Sequence, residues 1–173
     1  MIPCGPYPVA MALLAHLQAH LTETRAGAPD RVAVFPHDMP AGEFCDQAWV
    51  GYRSVTPMTT PKGGCASMWR AELTLGVTRC YPVMRDNGAP PAAHVDSAAR
   101  DIADDLEAMQ RAVRDALHGV TYTLGSWRPL NPQGGQHGSR LDVTVEIQLG
   151  AHVEPGAPML PGDPRADNDG GEP

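Results

Sequence analysis

The sequence predicts an α+β fold: a mixed or antiparallel sheet of about five strands against two helices, in the order α-β-β-β-α-β-β, with a Pro/Gly-rich acidic tail. Three observations carry this. Within Pro91–His118, the residues Val95, Ala99, Ile102, Leu106, Met109, Val113 and Leu117 recur at steps of three or four, one stripe of a long amphipathic helix. Within Ala66–Tyr81, Trp69, Ala71, Leu73, Leu75 and Val77 alternate with Arg70, Glu72, Thr74, Gly76 and Thr78. Ser139–Leu149 alternates more cleanly still, with Leu141, Val143, Val145, Ile147 and Leu149 on one side. Period two is the signature of strands that are apolar on one face.

Taken in order, Tyr7 to about Thr24 predicts a first helix, because Val9, Leu13, Leu17 and Leu21 lie four apart. Gly27–Asp30 turns the chain. RVAVF at Arg31–Phe35 is short and β-branched, a strand, and Pro36–Asp46 is loop. QAWVGYRSVT at Gln47–Thr56 predicts a second strand with Ala48, Val50 and Tyr52 on one face. Pro57–Gly64 is a turn-rich link to the third strand, Ala66–Tyr81, and Pro82–Pro90 leads into the helix at Pro91–His118. Pro91 suits a first helical turn and Gly119 a helix end. On this reading Leu106 lies in the core and the helix braces the sheet. Val120–Trp127 is a fourth strand, joined to Ser139–Leu149 by a long Gly/Pro-rich tip, Arg128–Gly138.

Residues 1–150 therefore read as one α+β domain and 151–173 as an extended acidic arm. The arm carries Glu154, Asp163, Asp167, Asp169 and Glu172 against Arg165, so it holds most of the net charge of −7. The rest is mildly acidic, with Lys62 the single lysine and no basic block, which disfavours a nucleic-acid clamp. No run of about 18 apolar residues predicts a membrane helix. The four cysteines, Cys4, Cys45, Cys65 and Cys80, form no CxxC, and reduced thiols in a cytoplasmic setting are the default expectation.

Chemistry is sparse. His16 and His20 are four apart on the first helix, a metal-ligand spacing, but Leu17 stands where HExxH needs Glu and no third ligand adjoins them. Surface or core histidines are the favoured reading. Cys45, Cys65 and Cys80 with His37 and Asp38 assemble a metal site only at long, irregular spacings, so buried structural cysteines are favoured. Gln133–Gly138 lacks the phosphate-loop pattern and precedes a strand; there is no GxSxG. Arg100–Asp104, Glu107–Arg111 and Arg111–Asp115 are opposite charges four apart, which suits a solvated or intersubunit helix face.

The order of elements resembles the tail terminator (tail-completion) proteins of long-tailed bacteriophages. WRAELTLGVTRCYP at Trp69–Pro82, a Gly/Pro loop, and Pro91–Leu117 with its AARDIADDLEAMQRAV core are similar to neck proteins of phages of high-GC actinobacteria. The likeness spans residues 5–149 and rests on element order. It implies a structural, non-enzymatic subunit without cofactor or metal. Such subunits form a homo-oligomeric, commonly hexameric ring that caps the tail tube and meets the head-side stopper or connector. Genomic DNA passes through it without specific binding. The implied place is the virion neck, after assembly in the host cytoplasm. Interface residues expected on this reading are Arg100, Asp104, Glu107, Arg111 and Arg114 from the helix, and Arg128, Asn131, Gln133, Gln136 and His137 from the predicted tip. A head-closure, stopper or minor tail protein is the alternative of the same class. A small metal- or thiol-dependent enzyme using His37, Cys45, Cys65 or His137 is the alternative of another.

Overall fold

The computed structural model describes residues 5–39, 45–58, 68–81, 88–133 and 135–149. The predicted arm at 151–173, most of the Pro57–Gly64 and Pro82–Pro90 links, Cys4 and Cys65 lie outside the described residues. The elements are α1 (Pro6–Leu21), β1 (Arg31–Phe35), β2 (Gln47–Pro57), β3 (Met68–Cys80), α2 (Ala92–Ala116), β4 (Tyr122–Gln133) and β5 (Gln136–Gln148). They form the α+β architecture expected, with a five-stranded mixed sheet in the order β1-β2-β3-β5-β4. β1 pairs parallel to β2 and every other pairing is antiparallel.

Both helices lie on one face of the sheet. α1 offers Val9, Leu13, Leu17 and Leu21, all buried. They meet Ala48 and Val50 of β2, Leu73, Leu75 and Val77 of β3, and Val143 and Val145 of β5 in one core. Each such aliphatic side chain taken out of water favours folding by about 1.5–3 kcal/mol before entropy is counted.

The structure corrects several expectations. The connection Arg128–Gly138 is not a long tip. β4 runs on to Gln133, which pairs with Gln136 of β5 across a tight turn, where Gly135 takes φ 79°. Pro129 and Pro132 read as loop residues, yet β4 is an edge strand with a free side, where a missing N–H is harmless. β3 has no wet face over its second half, because Thr74, Gly76 and Thr78 are buried as well. There the Trp49 ring lies flat on Gly76, where any Cβ would overlap it. The Trp49 indole N–H donates to the Asp38 carbonyl at 3.1 Å, so the turn after β1 closes over this face.

The cysteines also differ from the reduced expectation. A disulfide joins Cys45, just before β2, to Cys80 at the end of β3. Across a separation of 35 residues, such a closure constrains the unfolded chain by about 4 kcal/mol in the loop-entropy account. Two of the three cysteines weighed as metal ligands are thus bonded to each other.

The largest correction concerns α2. It packs mainly against α1 and only secondarily on β5 and β3. Its buried residues are Ala98, Asp105, Ala108, Met109, Ala112 and Val113. The buried face is therefore turned by roughly 60° from the expected stripe, taking 100° per residue. Val95 and Ala99 are exposed, and Ile102 and Leu106 only half-buried. The cause is Asp105, fully buried and paired in a fork with Arg79 of β3: Nη2 to Oδ1 at 2.6 Å and Nε to Oδ2 at 3.0 Å. Arg79 Nη2 also donates to the Gly27 carbonyl at 2.9 Å, tying in the turn after α1. The alanine row then allows α2 close to α1.

Removing one partner leaves a buried charge uncompensated. Asp105→Ala or Arg79→Met should therefore lower stability by about 3–5 kcal/mol, read as a fall in the urea midpoint at pH 7. The double change Arg79→Met with Asp105→Leu should recover most of that loss.

Candidate functional site

The layout of two helices on five strands leaves the fifth strand in the row bare. α1 lies over β1, β2 and β3 and α2 over β5 and β3, while neither packs substantially against β4. On the helix side of β4, Tyr122, Leu124 and Trp127 stand opposite Val145, Val143 and Leu141. Leu124 is 41% exposed, and Tyr122 and Trp127 are half-buried.

The turned face of α2 borders the same gap. Ser97, Asp101 and Asp115 meet Arg25 and His20, so that side of α2 faces α1. Helical geometry then sends Val95, Ala99, Ile102 and Leu106 to the opposite side, above β4. Val95 is 40% exposed. The result is a flank on which β4 and α2 both leave apolar side chains exposed. A second, unlike apolar patch sits at the other end of the helix layer. There Tyr7 and Met11 of α1 are 42% and 40% exposed. Met11, Leu14 and Ala15 adjoin Val32 of β1 around a shallow depression of about 380 Å³.

The expected interface residues fall in two separate places. On α2, Arg100, Glu107 and Arg114 are exposed, and Asp104 and Arg111 are half-buried. Arg111 reaches Glu23, just after α1, at 3.3 Å and Glu107 at 3.9 Å, and Arg114 lies 3.1 Å from Asp115. Most of this charge is therefore engaged along the α1–α2 seam. At the β4–β5 end, Asn131, Gln133, Gln136 and His137 line a groove of about 180 Å³ on the way to Trp49. Arg128 is held on the open face of the sheet, where its Nη2 donates to Asp142 at 2.7 Å. Arg53 and Thr74 converge on the same carboxylate at 3.0 and 3.2 Å, so Asp142 links β2, β3, β4 and β5.

No protein-family model matches this sequence, and no curated protein matches it either.

One further concentration of titratable groups is an open cleft of about 360 Å³, lined by Asp46, Arg79, Cys80, His94, Ser97, Asp101 and His137 among others. Its charges are spoken for. Arg25 takes Asp101 at 2.6 Å and the Ser97 hydroxyl at 3.1 Å, Arg79 takes Asp105, and Cys80 is in the disulfide. Of the enzyme candidates, Cys45 carries no thiol while that bond stands, Cys65 lies outside the described residues, and His37 contacts the Phe35 ring at 5.9 Å. His137 is buried against the edge of Tyr81, with ring centroids 5.3 Å apart. Among the described residues, no nucleophile is paired with it.

Sequence reasoning missed both apolar patches. The α2–β4 patch exists because β4 continues and α2 is turned, and neither follows from local periodicity. Tyr7 and Met11 are single apolar residues off the predicted stripe, a signal that was present.

Burial holds the His137 imidazole below its ordinary pKa, against the pull of Asp101 and with a small push from Arg79. The folded protein thus binds this proton less readily than the unfolded chain. The associated stability is complete above about pH 6.5 and is lost as pH falls through the lower folded value. Between pH 7.5 and 5, the wild-type urea midpoint should fall more steeply than that of His137→Gln.

Proposed function

We propose that this chain is a structural subunit of a closed ring, the tail terminator at the neck of a long-tailed phage. The observation that carries the reading is the pair of unlike apolar patches at opposite ends of the helix layer. A self-complementary patch gives a two-fold dimer. Two different patches on opposite flanks give a head-to-tail contact, which closes into a ring when the rotation per subunit allows it. The α1–β1 flank exposes Tyr7 and Met11, and the α2–β4 flank exposes Val95 and Leu124.

Supporting this, the α+β element order is the one expected of the resembling family. The single lysine and the absence of a basic block suit a channel wall that lets DNA pass without holding it. Under this reading the partners are further copies of the chain, the tail tube and the head-side connector.

Native mass spectrometry of the full chain, with negative-stain imaging in the presence of its tail tubes, tests the proposal. The wild type should give a closed, hexameric ring that caps one tube end. Val95→Asp should keep its fold and weaken the ring contact at least tenfold, a cost of about 1.4 kcal/mol per contact. A wild-type protein that stays monomeric at high concentration and never decorates a tube end would overturn it.

A further inference from the structure

We propose that His16, His20 and Asp115 form a binding site for a single divalent transition-metal ion of the zinc class, bridging α1 and α2. No sequence motif supplies a third ligand for His16 and His20, but the fold brings one. Asp115, from the last turn of α2, is brought to the histidine pair on α1, and one ligand atom from each lies within 4.8 Å of the others. Two histidines four apart present both rings on one side of a helix, and imidazole with carboxylate is the donor set that zinc takes.

His20 and Asp115 are hydrogen-bonded in the metal-free protein, an interaction the ion would replace, and the surroundings of His20 suit a ligating imidazole. Its Nε2 faces Asp115 Oδ2 at 2.8 Å. Its Nδ1 is buried without a hydrogen-bond partner, and Glu23 Oε2 stands 3.8 Å away. With Nε2 on the metal, the proton moves to Nδ1, where a small shift of Glu23 satisfies it. A carboxylate behind a ligating imidazole is the usual outer partner in zinc sites. The other Asp115 oxygen, Oδ1, is held by Arg114 Nε at 3.1 Å, which orients the carboxylate and leaves Oδ2 for the ion. His16 is exposed, so its ring can swing the remaining distance. Ligand atoms about 2.0–2.2 Å from zinc stand a little over 3 Å from one another, closer than the present spread. Three protein ligands leave the fourth position to water. The ion would clip the C-terminal turns of α1 and α2 together, at a seam the core holds only with small side chains on α2.

The test is titration of ZnCl2 into the EDTA-stripped full chain, followed by calorimetry and thermal unfolding. One zinc per chain should bind, with a rise in Tm. His16→Gln, a surface change that leaves the metal-free Tm unaltered, should weaken zinc binding at least tenfold and abolish the rise. Asp115→Asn should do the same. No saturable binding, or zinc binding that His16→Gln leaves at wild-type strength, overturns the site; the second result would place the ion elsewhere on the chain.

Discussion

The Arg79 guanidinium and the Asp105 carboxylate meet in a forked pair with both side chains almost wholly out of water. A charge in that position is costly unless matched in geometry as well as sign. Burial pushes the Asp105 carboxyl upward, and the hydrogen bonds and positive charge of Arg79 pull it back. Because β3 is fixed in the middle of the sheet, the pair sets the rotation of α2 about its own axis. It also fixes which residues α2 gives up to the core. Alanines 98, 108 and 112 go inward with Met109 and Val113, and Val95 and Ala99 go outward. An uncharged residue at 105 would let the helix settle on its larger apolar side chains. The exposed apolar side of α2 is in this sense a consequence of one ion pair.

The second determinant is the width of the sheet. Two helices side by side cover β1, β2, β3 and β5, and a fifth strand at the end of the row has nothing above it. The open face is finished differently. Trp49 fills it over Gly76, and the Asp142 cluster joins four strands through Arg53, Thr74 and Arg128. The scaffold is thus braced on both faces; among the described residues, the exposed large apolar side chains are Tyr7 and Met11 on one flank, Val95 and Leu124 on the other, and Met39 in the turn after β1. Contiguous exposed apolar surface of this kind marks interaction sites in soluble proteins.

Much of the fold was legible in the sequence, and the gaps have physical causes. The β-branched run Arg31–Phe35 and the alternation in β3 and β5 named strands correctly, since periodicity of two reports a local geometry. Gly119, at φ 76°, follows the end of α2 as expected. β4 was cut short at Trp127 because Pro129 and Pro132 argue against a central strand, and nothing local says that a strand is at the edge. The rotation of α2 was hidden because alanine weighs little in an apolar stripe and a buried aspartate runs against the pattern. The Cys45–Cys80 bond and the approach of Asp115 to His16 and His20 join residues far apart in the chain, so no spacing motif reveals them. Of the expected interface residues, Arg111 and Arg128 also make ion pairs within the subunit, and the apolar flanks emerge only from packing.

The central claim is that two unlike flanks of this subunit dock head to tail. The most direct measurement is native mass spectrometry of Met11→Asp and Leu124→Asp, alone and mixed, since both side chains are exposed and each belongs to a different flank. The account predicts that each variant is monomeric alone. Mixed, they should form a one-to-one heterodimer, because one intact α2–β4 flank then meets one intact α1–β1 flank and the other two ends are blocked. A mixture that stays monomeric, or variants that each still assemble into rings, would contradict it.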